Sequence, residues 1–134
     1  MTARKPRRPD KLLTEVELEL MNILWRLGGG TVSEVLANLP PARPLAYTSV
    51  STILRILEQK EVLRSEKLGR GHRYEPLVAK ELYETYALEH VVGRVFGGEP
   101  LALVRRLVDS AGLSKRDLAE LKTLLDRKEK EARR

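Results

Sequence analysis

The sequence contains no cysteine, and only two of its 134 residues are histidine. The missing thiols exclude disulfides, thiolate zinc sites, iron–sulfur clusters and cysteine nucleophiles. Two histidines, His72 and His90, are too few to suggest a transition-metal site. The sequence also lacks a plausible Ser/His/Asp grouping, a phosphate-binding glycine motif with a lysine, and paired carboxylates in apolar surroundings. We therefore expect no metal, no cofactor and no enzymatic activity.

Aromatic residues are scarce, at 4% of the chain, and long apolar runs are missing. No run approaches the roughly 18 residues that span a membrane. The first ten residues are basic and contain two prolines, which does not fit a signal peptide. Because 42% of the residues are hydrophobic, we expect a core of Leu and Val packed between helices. These features favour a soluble, cytoplasmic protein.

Acidic residues are the minority, which leaves a net charge of +6. Residues 1–78 hold 13 Lys/Arg against 9 Asp/Glu, and residues 79–134 hold 12 against 10. Most of the excess therefore lies in the first part of the chain. A balance of this kind favours a polyanionic partner without proving one. A basic arm, residues 1–11, could follow a phosphate backbone or enter a minor groove, or it could be a solubilising tail.

Two helices with capping boxes are predicted after the arm. Residues 14–17 (Thr-Glu-Val-Glu) begin a helix that runs to about Leu27, where the glycines 28–30 stop it. Residues 31–34 (Thr-Val-Ser-Glu) repeat the capping pattern and begin a short second helix, which ends near Asn38. A proline-rich loop follows.

The third helix is predicted from about Thr48 to Lys60, and its two faces differ. Its apolar face carries Val50, Ile53, Leu54 and Leu57. Its other face begins with the hydroxyls of Thr48, Ser49, Ser51 and Thr52 and continues with Arg55. One interpretation is a recognition helix whose short polar side chains approach a base-lined groove. The other is a solvated helix start with hydroxyl caps.

A β-hairpin is predicted next, because the periodicity changes in residues 62–68 and 72–77. Gly69-Arg70-Gly71 joins the two strands as the turn. A helix-turn-helix followed by a hairpin is the winged-helix arrangement, in which the wing lies along the phosphates while the helix enters the major groove. The basic residues in or next to this turn are Arg64, Lys67, Arg70, His72 and Arg73.

Three amphipathic helices are predicted in residues 79–134. About fifty residues of this kind rarely form a stable core alone. They could pair with a second copy as a two-fold dimer, or they could pack back on the N-terminal part as one monomeric domain. The predicted dimerisation residues are Phe96, Leu103, Val104, Leu107, Leu118, Leu121 and Leu125.

Four motifs in order resemble the penicillinase-repressor (BlaI/MecI) family. Residues 13–25 (LTEVELELMNILW) resemble its opening helix, and residues 45–55 (LAYTSVSTILR) resemble its recognition helix. Residues 69–77 (GRGHRYEPL) are similar to its wing, and residues 96–125 are similar to its dimerisation part. The resemblance implies a homodimeric winged-helix repressor that binds inverted-repeat operators.

The resemblance also implies a set of DNA-contacting residues and a partner. The DNA contacts are expected at Thr48, Ser49, Ser51, Thr52, Arg55, Arg70, His72 and Arg73. In the best-known members the signal comes from a membrane-bound sensor metalloprotease, and repression ends when the dimerisation part is cleaved. The resemblance therefore implies a membrane sensor metalloprotease as a partner. The copper-binding cysteines of the related CopY type are missing here. The Asn-Phe junction that is cut in β-lactam-responsive members aligns near Arg106-Leu107, so this sequence departs from the family pattern at the cleavage position.

The predicted fold is mainly α, with a winged helix-turn-helix at residues 12–78 and helical dimerisation residues 79–134. The predicted function is sequence-specific, operator-binding repression as a homodimer. The alternative is a winged-helix module that binds a partner protein without specific DNA binding.

Overall fold

The computed structural model describes residues 8–110 and 112–134, and it divides the chain into two compact units, Met1–Leu88 and Glu89–Arg134. Most of the basic arm, residues 1–7, lies outside the described residues. The sequence predicts a domain boundary after residue 78, whereas the two units divide after Leu88. The first part of the fourth helix therefore belongs to the N-terminal unit.

Helix α1 (Glu15–Leu27) begins at the predicted capping box. The Thr14 hydroxyl accepts a hydrogen bond from the Glu17 backbone N–H, and the Glu17 carboxylate accepts one from the Thr14 N–H. The helix ends at Gly28, whose φ of 79° is left-handed, a conformation that glycine adopts without steric cost.

The helix-turn-helix consists of α2 (Val32–Ala37) and α3 (Tyr47–Gln59). Thr31 and Glu34 form the second predicted capping box, at the start of α2. A two-residue strand, β1 (Gly30–Thr31), precedes α2 and was not predicted. In the sequence, Gly30 is the last residue of the predicted helix stop and Thr31 is a predicted cap.

The wing is formed by β2 (Leu63–Leu68) and β3 (Gly71–Pro76), which pair antiparallel. Leu68 pairs with Gly71, so Gly69 and Arg70 form a two-residue turn, and Gly69 has a φ of 61°. Strand β1 pairs with the other edge of β3, which gives the sheet order β1-β3-β2. The predicted fold class is confirmed.

The core of the N-terminal unit lies between α1, α2, α3 and the sheet. Its fully buried side chains are Leu20, Met21, Leu24, Val35, Val50, Leu54, Leu57 and Leu63. Helix α4 (Lys80–Arg94) joins this unit through Tyr83, which is buried. The Tyr83 hydroxyl accepts a hydrogen bond from the Leu13 N–H at 2.9 Å, and its ring lies 5.8 Å from that of Trp25.

An ion pair connects Lys60, the C-cap residue of α3, to the start of α1. Lys60 Nζ lies 2.7 Å from Glu17 Oε2, and the Glu17 side chain is buried. Burial raises the pKa of the Glu17 carboxyl, but hydrogen bonds from Lys60 and Thr14 outweigh it and hold that pKa below its ordinary value. The carboxylate therefore remains charged while it caps one helix and anchors another.

The C-terminal unit contains the end of α4, α5 (Pro100–Ser110) and α6 (Lys115–Ala132). Ser114 and Asp117 form a third capping box, at the start of α6. Neither α5 nor α6 has a buried residue. Within the residues that the structure describes, no helix combines the length and apolar content needed to span a membrane.

Candidate nucleic-acid interface

Helix α3 presents an exposed polar face on the side opposite its core face. Val50, Leu54 and Leu57 are fully buried against the core. With 3.6 residues per turn, Thr48, Thr52, Arg55 and Gln59 fall on the outermost face, and all four are exposed. Ser49 is exposed on one side of this face. Tyr47, Ser51 and Glu58 lie on the other side, next to the wing.

The hydroxyls of α3 do not cap the helix. The N-cap residue is Ala46, and no side chain makes a cap hydrogen bond. In other helices, Thr85 and Thr123 donate to the carbonyl oxygen four residues earlier, at 3.0 and 3.2 Å. Among the described residues, the hydroxyls of Thr48, Ser49, Ser51 and Thr52 make no hydrogen bond. They therefore remain available to an external partner, and the interpretation as hydroxyl caps is wrong.

A concavity lies between α3 and the wing, and it brings several predicted site residues together. From the helix it is lined by Ser51 and Arg55, and from the wing by Arg70 and His72. The buried ring of Tyr74 also lines it. Burial raises the pKa of the Tyr74 hydroxyl, and the nearby Glu58 carboxylate raises it further. The hydroxyl therefore stays protonated at neutral pH.

The basic residues of the wing fall into two groups. Arg70 and His72 are exposed, and Arg70 makes no salt bridge with any residue described in the structure. Arg64 and Arg73 are half-buried and both pair with Glu75. The charges of Arg64 and Arg73 are thus partly neutralised within the wing, while Arg70 at the tip remains open to solvent.

Arg73 lies against the backbone of Gly29. A Cβ atom built on Gly29 would lie 2.8 Å from both Nη1 and Nη2 of Arg73, and Gly29 has a φ of 137°. Arg73 Nη1 also lies 2.5 Å from Glu75 Oε1. Because Thr31 of β1 pairs with Arg73 of β3, this guanidinium lies where the wing meets the start of the helix-turn-helix. Arg73 is also one of the predicted DNA-contacting residues, and that prediction stays untested. In the structure its guanidinium contacts Glu75 and lies against Gly29.

Sequence reasoning missed three residues of this surface. Tyr47 and Glu58 line the concavity, and Gln59 extends the outermost face of α3. The spacing of Tyr47, Ser51 and Glu58 along one side of the helix was a signal that could have identified the first two. The register that sets the wing beside that side of α3 could not be read from the sequence.

The C-terminal unit exposes much of its apolar surface. Val95 is 69% exposed and Leu101 is 55% exposed. Of the predicted dimerisation residues, Val104, Leu107, Leu118 and Leu125 are exposed, and Phe96, Leu103 and Leu121 are half-buried. In the described part of the chain, no group of three or more His, Cys, Asp or Glu side chains could hold a metal ion.

Comparison with known proteins gives consistent matches. A family model described as penicillinase repressor matches residues 13–127. The transcriptional regulator BlaI of Mycobacterium tuberculosis is 34% identical over 115 residues, covering 72% of this chain and 83% of that protein. A protein of Latilactobacillus sakei, described as an uncharacterized 16.5 kDa protein in the ptsI 3′ region, is 32% identical over 87% of this chain and 80% of its own. The solution structure of the DNA-binding domain of the repressor BlaI is similar with a TM-score of 0.50 and 25% identity, covering 57% of this chain and 94% of that chain.

Proposed function

The chain belongs to the penicillinase repressor family, and we propose that it binds inverted-repeat operators as a homodimer. Its relatives are transcriptional repressors, and the chain is accordingly a DNA-binding transcriptional repressor and not an enzyme. The predicted resemblance to this family is confirmed, because the family model matches residues 13–127, which include all four motifs.

Helix α3 enters the major groove in this proposal. The observation that carries it is the set of exposed hydroxyls on α3 that make no hydrogen bond in the described structure. Thr48 and Thr52 lie on the outermost face, where their hydroxyls and methyl groups would meet base edges and thymine methyls. Ser49 and Ser51 flank that face and would contact the two sides of the groove.

The phosphate backbone passes the concavity between α3 and the wing. Arg55, Arg70 and His72 line it from both sides. Cationic side chains on a helix and on a neighbouring turn can hold one backbone strand and so fix the register of the helix in the groove. Arg73, which is held by Glu75, keeps the wing in the orientation that this contact needs.

The C-terminal unit supports the homodimer in this proposal. Its helices α5 and α6 have no buried residue, although they carry many Leu and Val side chains. A second copy would cover this surface, and a two-fold dimer would place two α3 helices on the two half-sites of an inverted repeat.

A gel-shift titration against a random-sequence duplex at moderate salt tests DNA binding. We expect non-specific binding with a Kd of about 1–100 μM that weakens steeply as salt is raised, because phosphate contacts release counterions. No detectable binding would favour the alternative, a winged-helix module for a partner protein. Light scattering tests the dimer separately. A monomer mass at micromolar concentration, with and without DNA, would rule out the homodimer.

A further inference from the structure

A carboxylate, that of Glu58, lines the same concavity as Arg55, Arg70 and His72. Its oxygen Oε2 accepts a short hydrogen bond from the Ser65 hydroxyl of β2. Among the described residues Glu58 makes no salt bridge, although Arg55 lies one turn earlier on α3, at a spacing that often pairs on helices. The concavity therefore combines cations with one carboxylate that is held apart from them.

The contact with Ser65 has an electrostatic consequence. A hydroxyl carries no net charge, so its hydrogen bond brings no cation to Glu58. Glu58 also lies close enough to the Tyr74 hydroxyl to raise its pKa, in addition to the effect of burial. An ion pair between Glu58 and Arg55 would instead neutralise the charges of these two side chains. The hydrogen bond from β2 thus leaves Arg55 open and leaves a negative charge where a phosphate backbone would approach.

We propose that Glu58 is a specificity-determining residue, which weakens binding to non-specific DNA by repelling phosphates, and that Ser65 positions its carboxylate for this role. The inference rests on the proposed DNA binding. Non-specific binding depends almost entirely on phosphate contacts, whereas base contacts fix the register of a specific complex. In a specific complex the phosphates stay at Arg55 and Arg70. In a loose complex they sample the whole concavity, including Glu58.

Base reading by Glu58 is the less favoured role. Glu58 is the next-to-last residue of α3, which ends at Gln59. Recognition helices read bases mainly with their N-terminal residues, and in α3 these carry the hydroxyls. The partly buried side chain of Glu58 also points toward the wing strand that holds Ser65.

The test compares two isosteric charge removals. Glu58→Gln keeps an acceptor for Ser65, and Glu84→Gln makes the same charge change at an exposed position on α4, away from the concavity. Fluorescence anisotropy would measure the affinity of each full-length variant for a random duplex and for a duplex that the wild type selects from a random pool. We expect Glu58→Gln to bind the random duplex about fivefold to tenfold more tightly than the wild type, which is the effect of removing one repulsive charge at the dielectric of a protein surface. Its affinity for the selected duplex should rise by less than about twofold. Glu84→Gln should leave both affinities unchanged.

A second variant tests the role of Ser65. Ser65→Ala frees the carboxylate to contact Arg55, so both duplexes should bind about threefold more weakly. The double variant with Glu58→Gln should behave as Glu58→Gln alone, because the two side chains act as a unit.

Several outcomes would overturn the inference. Equal tightening on both duplexes, or none, would remove the specificity role. A changed base preference at one position would make Glu58 a base-reading residue, and a lower melting temperature with unchanged affinities would make it a structural one. If the wild type bound no duplex at all, the proposed DNA binding itself would fail, which is a distinguishable result.

Discussion

Replacing Lys60 by Met should destabilise the N-terminal unit through Glu17. The Glu17 side chain is 7% exposed and would lose the ammonium group that lies 2.7 Å from its carboxylate. It would keep the hydrogen bond from the Thr14 N–H at 2.9 Å. Because the Lys60 side chain is 44% exposed, the loss should be smaller than for a fully buried pair. We expect the free energy of unfolding to fall by about 1–2 kcal/mol at pH 7.

Urea unfolding followed by Trp25 fluorescence measures this loss, because the chain has one Trp and it reports on this unit. Trp25 Nε1 donates to the Val78 carbonyl at 2.9 Å, a contact that unfolding breaks. Lys67→Met is the matched control, since Lys67 is exposed on the wing and makes no salt bridge with a described residue. An unchanged free energy for Lys60→Met would show that the pair contributes nothing.

The pH dependence supplies a second check. The pKa of Glu17 is lowered in the folded state, so its stabilisation is complete above the unfolded pKa and is lost as pH falls through the folded pKa. The difference between wild type and Lys60→Met should therefore be constant near neutrality and narrow below about pH 4. A difference that stays constant down to the acid limit of folding would refute the assigned charge state.

Four further predictions concern the wing and the helix ends. Arg70→Ala should weaken binding to all duplexes alike and lower the salt slope by about one, and a changed sequence preference with an unchanged slope would contradict the phosphate contact. Ser51→Ala should change the preference at one or two base pairs by about 1–3 kcal/mol, visible in the selected motif. Glu61→Gly should be more stable than Glu61→Ala by about 0.5–1 kcal/mol, because Glu61 has a φ of 62° and both changes remove the same side chain; equal free energies of unfolding in urea would contradict this. Gly29→Ala should lower the free energy of unfolding by about 1–3 kcal/mol, because Gly29 has a positive φ of 137°. Gly71→Ala should be nearly neutral in the same urea assay, because a Cβ atom at Gly71 would point into open space.

Local patterns in the sequence predicted the elements well. The predicted capping boxes at Thr14 and Thr31 depend on residues three positions apart, and both are present. The hairpin was predictable because two glycines flank Arg70 between strand-like runs. Such features are set by residues close in sequence, so a single sequence is enough to find them.

Contacts between distant residues could not be predicted. Strand β1 has two residues and forms only because β3 lies beside it. The Lys60–Glu17 pair joins residues 43 positions apart, and the place of Arg73 over Gly29 depends on the sheet register. The role of the α3 hydroxyls could not be decided from the sequence, because Ser and Thr also favour the N-cap position of helices. In the structure α3 begins at Tyr47 with Ala46 as its N-cap residue, which excludes a capping role for these hydroxyls.

Selection of duplexes from a random pool would show whether α3 and the wing together read operator DNA. The wild type should enrich an inverted repeat whose half-sites are centred about 10 base pairs, or a multiple of that, apart. A variant carrying both Thr48→Ala and Thr52→Ala should enrich a different motif or none. No enrichment by the wild type, or the same motif from both proteins, would contradict base reading by α3.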